Sequence, residues 1–322
     1  MFDTSHDKAI QLTDDDAAIS KLSCVNAGYY EDEFLHMFVK QFARRNPIIN
    51  MGYYVRVSLM RRLISAFVKD RRDTRQIVIL GAGSDTNGLW ALRQFGVELR
   101  VFEIDFKRSI SRKASVLHRN QDRLKSVFAE GGFQVGSRVG DEDDLLGTEN
   151  FKLIGCDLRD PLEQLEKRLE RAGLRREKPT LFIAECVLIY LTRSESDCVL
   201  SWIARGFPRA TLGVYEQING TDRFGRVMLE NLSARGSPLL SIVDSEDKQE
   251  ARYRATGFSE VRCDKISELS QLIEKKNVEI IDELEELNLF QQHYCLTTAF
   301  SSSDSETIDI LSSVYESNEN NL

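Results

Sequence analysis

From residue 76 onward, short apolar runs alternate with segments of helical spacing, and several of the runs end in glycine or an acid. QIVIL (76–80) leads into Gly81-Ala82-Gly83, LRVFEID (99–105) ends in Asp105, and FKLIGCDL (151–158) ends in Asp157-Leu158. TLFIAECVLIYL (180–191) carries Glu185, and ATLGVYEQI (210–218) is a fifth run. Helix-compatible stretches fill 86–95, 107–126, 160–172 and 195–206. Strands that alternate with helices need right-handed crossovers, so the pattern predicts an α/β fold on a mostly parallel sheet. Residues 258–264 and 293–300 supply two late strands.

Residues 1–75 form a helical preface. Residues 1–12 read as a mobile lead, and Thr13 with Asp16 resembles a capping box that starts a helix near Asp14. Phe34, Leu35, Phe38, Val39 and Phe42 recur at helical spacing within 31–45, Asn46-Pro47 ends that helix, and a further helix runs over 53–69. Residues 127–150 read as a long surface loop. Residues 301–322 hold five acids and no base, so a disordered acidic tail is expected beyond a domain of 76–300.

Charge narrows the function. With 43 Lys plus Arg against 51 Asp plus Glu, the chain lacks the basic balance of a nucleic-acid binder. Residues 40–75 run the other way, with ten bases and two acids, which suits either an anionic partner or a solvated helix face. The longest apolar run, Leu181–Leu191, has 11 residues, too few to span a membrane. None of the six cysteines pairs as CxxC, and with four histidines no metal site is expected. The thiols read as reduced, which places the chain in the cytoplasm or the nucleus.

Four constellations carry chemistry. Gly81 and Gly83 at the first strand's end let a ligand approach the backbone, although an ordinary strand-to-helix turn also explains them. The dinucleotide fingerprint GxGxxG would need glycine where Thr86 stands. Asp105, at the tip of the second strand, can accept hydrogen bonds from a ribose diol. Asp157 and Leu158, at the third tip, can take an adenine amine and cover the ring. Capping of the following helix is the competing reading for both aspartates. Glu185 lies in an apolar strand, where a carboxylate is costly unless paired, so it either meets a cationic ligand group or forms a buried ion pair. Together these groups fit S-adenosylmethionine better than NAD. That cofactor has no pyrophosphate, so the missing third glycine matters little, and its ammonium and sulfonium suit carboxylates.

At these residues the chain resembles the leucine carboxyl methyltransferases. The matching stretches are DDDAAISK (14–21), GYYVR (52–56), IVILGAGSDT (77–86), FEIDF (102–106), GCDLRD (155–160), IAECVLIYL (183–191), YEQING (215–220), DRFGRVMLENL (222–232) and ELEELNLFQQHYCL (283–296). The resemblance implies a class I S-adenosylmethionine-dependent methyltransferase: a Rossmann-like, seven-stranded, mostly parallel sheet with an N-terminal helical extension. It implies Lys21, Arg56, Gly81, Asp105, Asp157, Leu158 and Glu185 as cofactor-binding residues, with Gly83 beside them in the loop. Arg56 is expected near the incoming leucine carboxylate and Tyr190 at the methyl-transfer site. The implied reaction is methyl esterification of the C-terminal leucine of the catalytic subunit of type 2A protein phosphatases, met by a monomer at the phosphatase tail and active-site face. A related branch carries a long repeat domain and acts on transfer RNA, and this chain ends too early to hold those repeats. Asp222, Arg223 and Gly225 suit a lid, a phosphatase contact or an internal Asp–Arg pair. A small-molecule O-methyltransferase and a non-catalytic cofactor-binding scaffold remain as alternatives.

Overall fold

The computed structural model describes residues 5–69, 73–96, 98–128, 146–275 and 278–315. Three helices precede the sheet: α1 (Ser5–Asn26), α2 (Leu35–Phe38) and α3 (Pro47–Val68). Then follow β1 (Gln76–Leu80), α4 (Asn87–Phe95), β2 (Arg100–Asp105), α5 (Lys107–Arg119), β3 (Leu146–Gly147), β4 (Phe151–Gly155), α6 (Leu162–Arg171), β5 (Thr180–Glu185), α7 (Arg193–Gly206) and β6 (Ala210–Gln217). The chain continues through α8 (Arg223–Ala234), α9 (Glu246–Thr256), β7 (Glu260–Lys265), α10 (Ile266–Leu269), α11 (Leu284–Gln291), β8 (Tyr294–Phe300) and α12 (Ser305–Tyr315).

The sheet order is β3-β4-β2-β1-β5-β6-β8-β7. Strands β4, β2, β1, β5 and β6 are parallel, while β8 pairs antiparallel with both β6 and β7. The sheet has eight strands rather than the expected seven, because the two-residue β3 adds an antiparallel edge to β4. The chain order of the parallel strands reverses at β1, between β2 and β5. In an open α/β sheet a ligand crevice forms at such a switch point, outside the carboxyl ends of the strands. Strands β1 and β5 are almost entirely buried, as expected of parallel strands covered by helices on both faces.

The preface departs from its sequence pattern. Helix α1 begins at Ser5, so residues 5–12 are helical, and Thr13 lies inside the helix with its hydroxyl donating to the Ile10 carbonyl at 2.6 Å. The long helix expected over 31–45 shrinks to α2. Asp32 accepts the backbone N–H groups of Phe34 and Leu35 and pairs with Arg61 at 2.6 Å, and Arg45 is drawn to Ser20 and Asp16 of α1. These ties hold 39–46 as a non-helical connection in which Phe42 is exposed despite its helical spacing. Asn46-Pro47 starts α3 rather than ending a helix: Asn46 accepts the Ile49 N–H at 2.9 Å and Pro47 occupies the first turn, where its missing N–H costs nothing. Most of the loop expected over 127–150 lies outside the described residues.

The acidic tail also requires correction, because residues 305–315 form α12 and pack on α3. Its acids have specific uses. Asp304 accepts the Thr307 N–H at 3.0 Å, and Glu306 meets Arg75 and Arg209. Thr307, Ile310 and Val314 bury one face at helical spacing. Tyr315 stacks beneath Arg262 at 3.9 Å, and its hydroxyl lies 2.9 Å from that of Thr298. Truncating a buried aromatic side chain costs about 3 kcal/mol. Tyr315→Ala should therefore lower the urea unfolding midpoint clearly, and an unchanged midpoint would show that α12 contributes nothing to stability.

Candidate active site at the strand tips

A cavity of about 770 Å³ opens at the carboxyl ends of β1, β2, β4 and β5, with α1 and α3 on its other side. Lys21, Arg56, Gly81, Gly83, Asp105, Asp157, Leu158, Glu185 and Tyr190 all line it. The expected site residues thus reach one space from elements far apart in sequence.

Gly81 and Gly83 both have positive φ, at 65° and 40°. A Cβ at Gly81 would strike Val187, and one at Gly83 would strike the Asp14 carboxylate. Glycine is therefore required by backbone conformation and by crowding alike. Asp105 accepts the Gly83 N–H at 2.7 Å and the Phe106 N–H at 2.6 Å. Burial pushes its pKa up to about 6, against those two hydrogen bonds. Asp105 does not cap α5, whose N-cap is Phe106. Nor does Asp157 cap α6, which starts after Pro161. It is held instead by Arg159, whose Nε lies 2.9 and 3.1 Å from the two carboxylate oxygens and whose Nη2 lies 2.5 Å from Oδ2.

Glu185 is the hub of the inner wall. Its Oε2 accepts Arg56 Nε at 2.5 Å and meets Lys21 Nζ at 3.4 Å, and its Oε1 accepts Asn87 Nδ2 at 2.8 Å. The buried ion pair is therefore present, and the same residue lines the cavity. Arg56 Nη2 also donates to the Glu185 backbone carbonyl at 3.2 Å, and the guanidinium sits over the rings of Tyr53 (5.6 Å) and Tyr215 (5.4 Å). Lys21 lies 2.5 Å from Asp85. Burial disfavours the Lys21 charge, yet Asp85 and Glu185 outweigh it and raise the pKa. Burial likewise opposes the Asp85 charge, but Lys21 and Lys113 win and hold its pKa down to about 2.

Tyr190 is largely buried in a short turn after β5, and burial pushes its hydroxyl well above the usual range. Cys186 also faces the cavity, with φ 56°, and burial pushes its thiol up to about 11. Asp222 lies elsewhere. It caps α8 through the Gly225 N–H at 2.7 Å and bonds His293 Nε2 at 2.9 Å, so its partner is a histidine rather than Arg223.

Sequence reasoning assigned no role to Asp14, Asp85, Asn87 or Arg159. Asp14 accepts the Ser84 N–H at 2.7 Å and its hydroxyl at 2.8 Å, and Asp85 accepts the Asn87 N–H at 2.9 Å. For Asp14 a signal existed: Asp7, Asp14 and Lys21 recur every seven residues, which places them on one face of a helix.

The sheet, with its glycine turn after β1 and its antiparallel β7–β8 edge, has the fold of the class I S-adenosylmethionine-dependent methyltransferases. A Thermobifida fusca methyltransferase crystal structure shares the fold, with a TM-score of 0.53 and 13% identity over 80% of this chain and 84% of that one. The leucine carboxyl methyltransferase family model matches residues 4–204. A leucine carboxyl methyltransferase 1 homolog of Arabidopsis thaliana is 36% identical over 92% of this chain and 90% of its own length. Leucine carboxyl methyltransferase 1 of Rattus norvegicus is 33% identical over 91% and 90%. The tRNA wybutosine-synthesizing protein 4 of the same rat is 32% identical over 90% of this chain but only 44% of its own length. The chain belongs to the leucine carboxyl methyltransferase family.

S-adenosylmethionine is the methyl donor of this class, and the residues present suit it. Asp105 is a buried carboxylate held by backbone N–H groups, and two ribose hydroxyls would relieve its burial. Acceptor carboxylates beside apolar Leu158 also match a cationic, ring-bearing ligand. Binding to ionised Asp105 should weaken as pH falls through about 6, because protonation removes an acceptor. Calorimetric titration of S-adenosylhomocysteine between pH 5 and pH 8 should show this inflection. Asp105→Asn should abolish the inflection and leave affinity low throughout, whereas an inflection that survives the substitution would assign the titration to another group.

Proposed function

We propose that the protein methyl-esterifies the C-terminal leucine carboxylate of the catalytic subunit of type 2A protein phosphatases and so tunes assembly of the phosphatase holoenzyme. One observation carries the reading: a guanidinium fixed by Glu185 lines the same cavity as the acids suited to the methyl donor. Family membership supports it. In this reading Asp105 takes the ribose, Asp157 the adenine amine with Leu158 against the ring, and Lys21, Arg56 and Glu185 the amino-acid end.

When bound, S-adenosylmethionine supplies an electrophilic methyl group on a positively charged sulfur. The protein's work is placement and exclusion of water. A leucine α-carboxyl, with a pKa of about 3.5, is already ionised near neutral pH and needs no general base. Tyr190 accordingly stays protonated and offers a hydrogen bond, not a base. Arg56 uses Nε and Nη2 on Glu185, so Nη1 and the second Nη2 hydrogen remain to orient a carboxylate. Cys186 stands in the cavity as a neutral thiol, which keeps a competing nucleophile quiet. Walls formed by α1 and α3 limit water, which strengthens each of these electrostatic contacts.

Labelled donor should mark intact phosphatase catalytic subunit and leave the form lacking its last leucine unmarked. Equal labelling of both would refute the site. Arg56→Lys keeps the charge but loses the planar fork, so kcat/KM should fall by about tenfold or more. Full activity in that variant would rule out two-point orientation.

A further inference from the structure

The inner face of α1 presents a ladder. Asp7, Asp14 and Lys21 are spaced by seven residues, or about 10 Å along a helix, and each reaches a different strand tip. Lys21 meets Asp85 and Glu185, Asp14 meets Ser84 of the glycine turn, and Asp7 meets Arg159 after β4 at 2.7 Å. In the last rung the shared group is Arg159. Its guanidinium also grips both oxygens of Asp157, its backbone N–H donates to Asp157 Oδ1 at 2.9 Å, and its Cζ lies 5.6 Å from the centre of the Phe106 ring.

Asp157 sits at a tip with little else to fix it, and an aspartate that could rotate would recognise an amine poorly. Arg159 pins the carboxylate through parallel N–H donors and leaves its remaining lone pairs in a set direction. The same guanidinium holds the α1 carboxylate across the cleft. Base recognition and the seating of α1 therefore share one cation.

We propose that Arg159 is a positioning residue that orients Asp157 toward the cofactor's purine while latching α1 over the cavity through Asp7. This rests on the reading that Asp157 takes the adenine amine. Asp7 and Arg159 would bind no substrate themselves.

The test compares binding of S-adenosylhomocysteine with that of S-inosylhomocysteine, in which an oxo group replaces the purine amine, to the full chain by calorimetry. Loss of one oriented hydrogen bond corresponds to a preference of about tenfold for the adenosyl compound in the unsubstituted protein. Arg159→Gln should cut that preference to below about threefold, and Arg159→Lys, which keeps the charge without the fork, should fall between. A generally loosened fold would weaken both compounds alike and leave their ratio intact, so the ratio isolates orientation. Asp7→Asn should keep the preference but speed S-adenosylhomocysteine release and raise amide hydrogen exchange over residues 5–13 several-fold. An unchanged preference in both Arg159 variants overturns the orienting role, and unchanged exchange and release in Asp7→Asn overturn the latch. If the unsubstituted protein does not distinguish the two compounds, the assignment of Asp157 to adenine fails first and the proposal falls with it.

Discussion

The Glu185 carboxylate is the interaction on which the site depends. It stands at the end of a central strand, mostly withdrawn from water, and engages Arg56, Lys21 and Asn87. Leaving a buried charge without its partner typically costs about 3–5 kcal/mol, so each of these groups fixes the others. Arg56 comes from α3, Lys21 from α1 and Asn87 from α4. One carboxylate therefore ties three helices to the sheet. The rings of Tyr53 and Tyr215 beside Arg56 restrict the guanidinium further.

Around that hub, the sheet supplies spacing and the preface supplies closure. Strand ends β1, β2, β4 and β5 deliver the glycine turn, Asp105, the Asp157 segment and Glu185 in adjacent positions through the register of the parallel sheet. Helix α1 then adds a second layer of charge from above. The charged groups named at the cleft are paired or hydrogen-bonded, as a low-dielectric setting requires. Lys113 extends this order beneath the floor, bonding Glu103 and the Asp85 carbonyl in the core.

Much of this was legible in the sequence, for a physical reason. Parallel strands are apolar, so a polar residue at the end of one stands out, and chemistry gathers there. Asp105, Asp157 and Glu185 were visible on that ground. Arg159 was not, because a charged residue in a turn looks like any solvated residue until its partner is known, and Asp14 showed only as one step of a seven-residue spacing. The Phe34–Phe42 spacing misled because periodicity reports what could be buried together, whereas Arg45 bonds to Ser20 and Asp16 of α1 and draws the chain away from a helical path. At the C-terminus the overall acidity of 301–322 masked a short amphipathic period. Composition averages over acids that cap and pair, and that average resembles disorder.

The geometry of Arg56 also resolves a tension in carboxylate chemistry. A guanidinium that carried its full charge to a nucleophilic carboxylate would hold it in place but draw off the electron density that attack requires. Arg56 carries its charge first to Glu185, through the shorter of its contacts. In the proposed reaction, the field reaching a substrate carboxylate would thereby be reduced, while the planar N–H array would still set its direction. Lys21 is compensated in the same way by Asp85. The site thus keeps its cations for orientation and spends their attraction on the protein's own acids. For the proposed reaction, in which opposite charges combine and vanish, this division of labour would place the reacting groups without over-stabilising the separated ions.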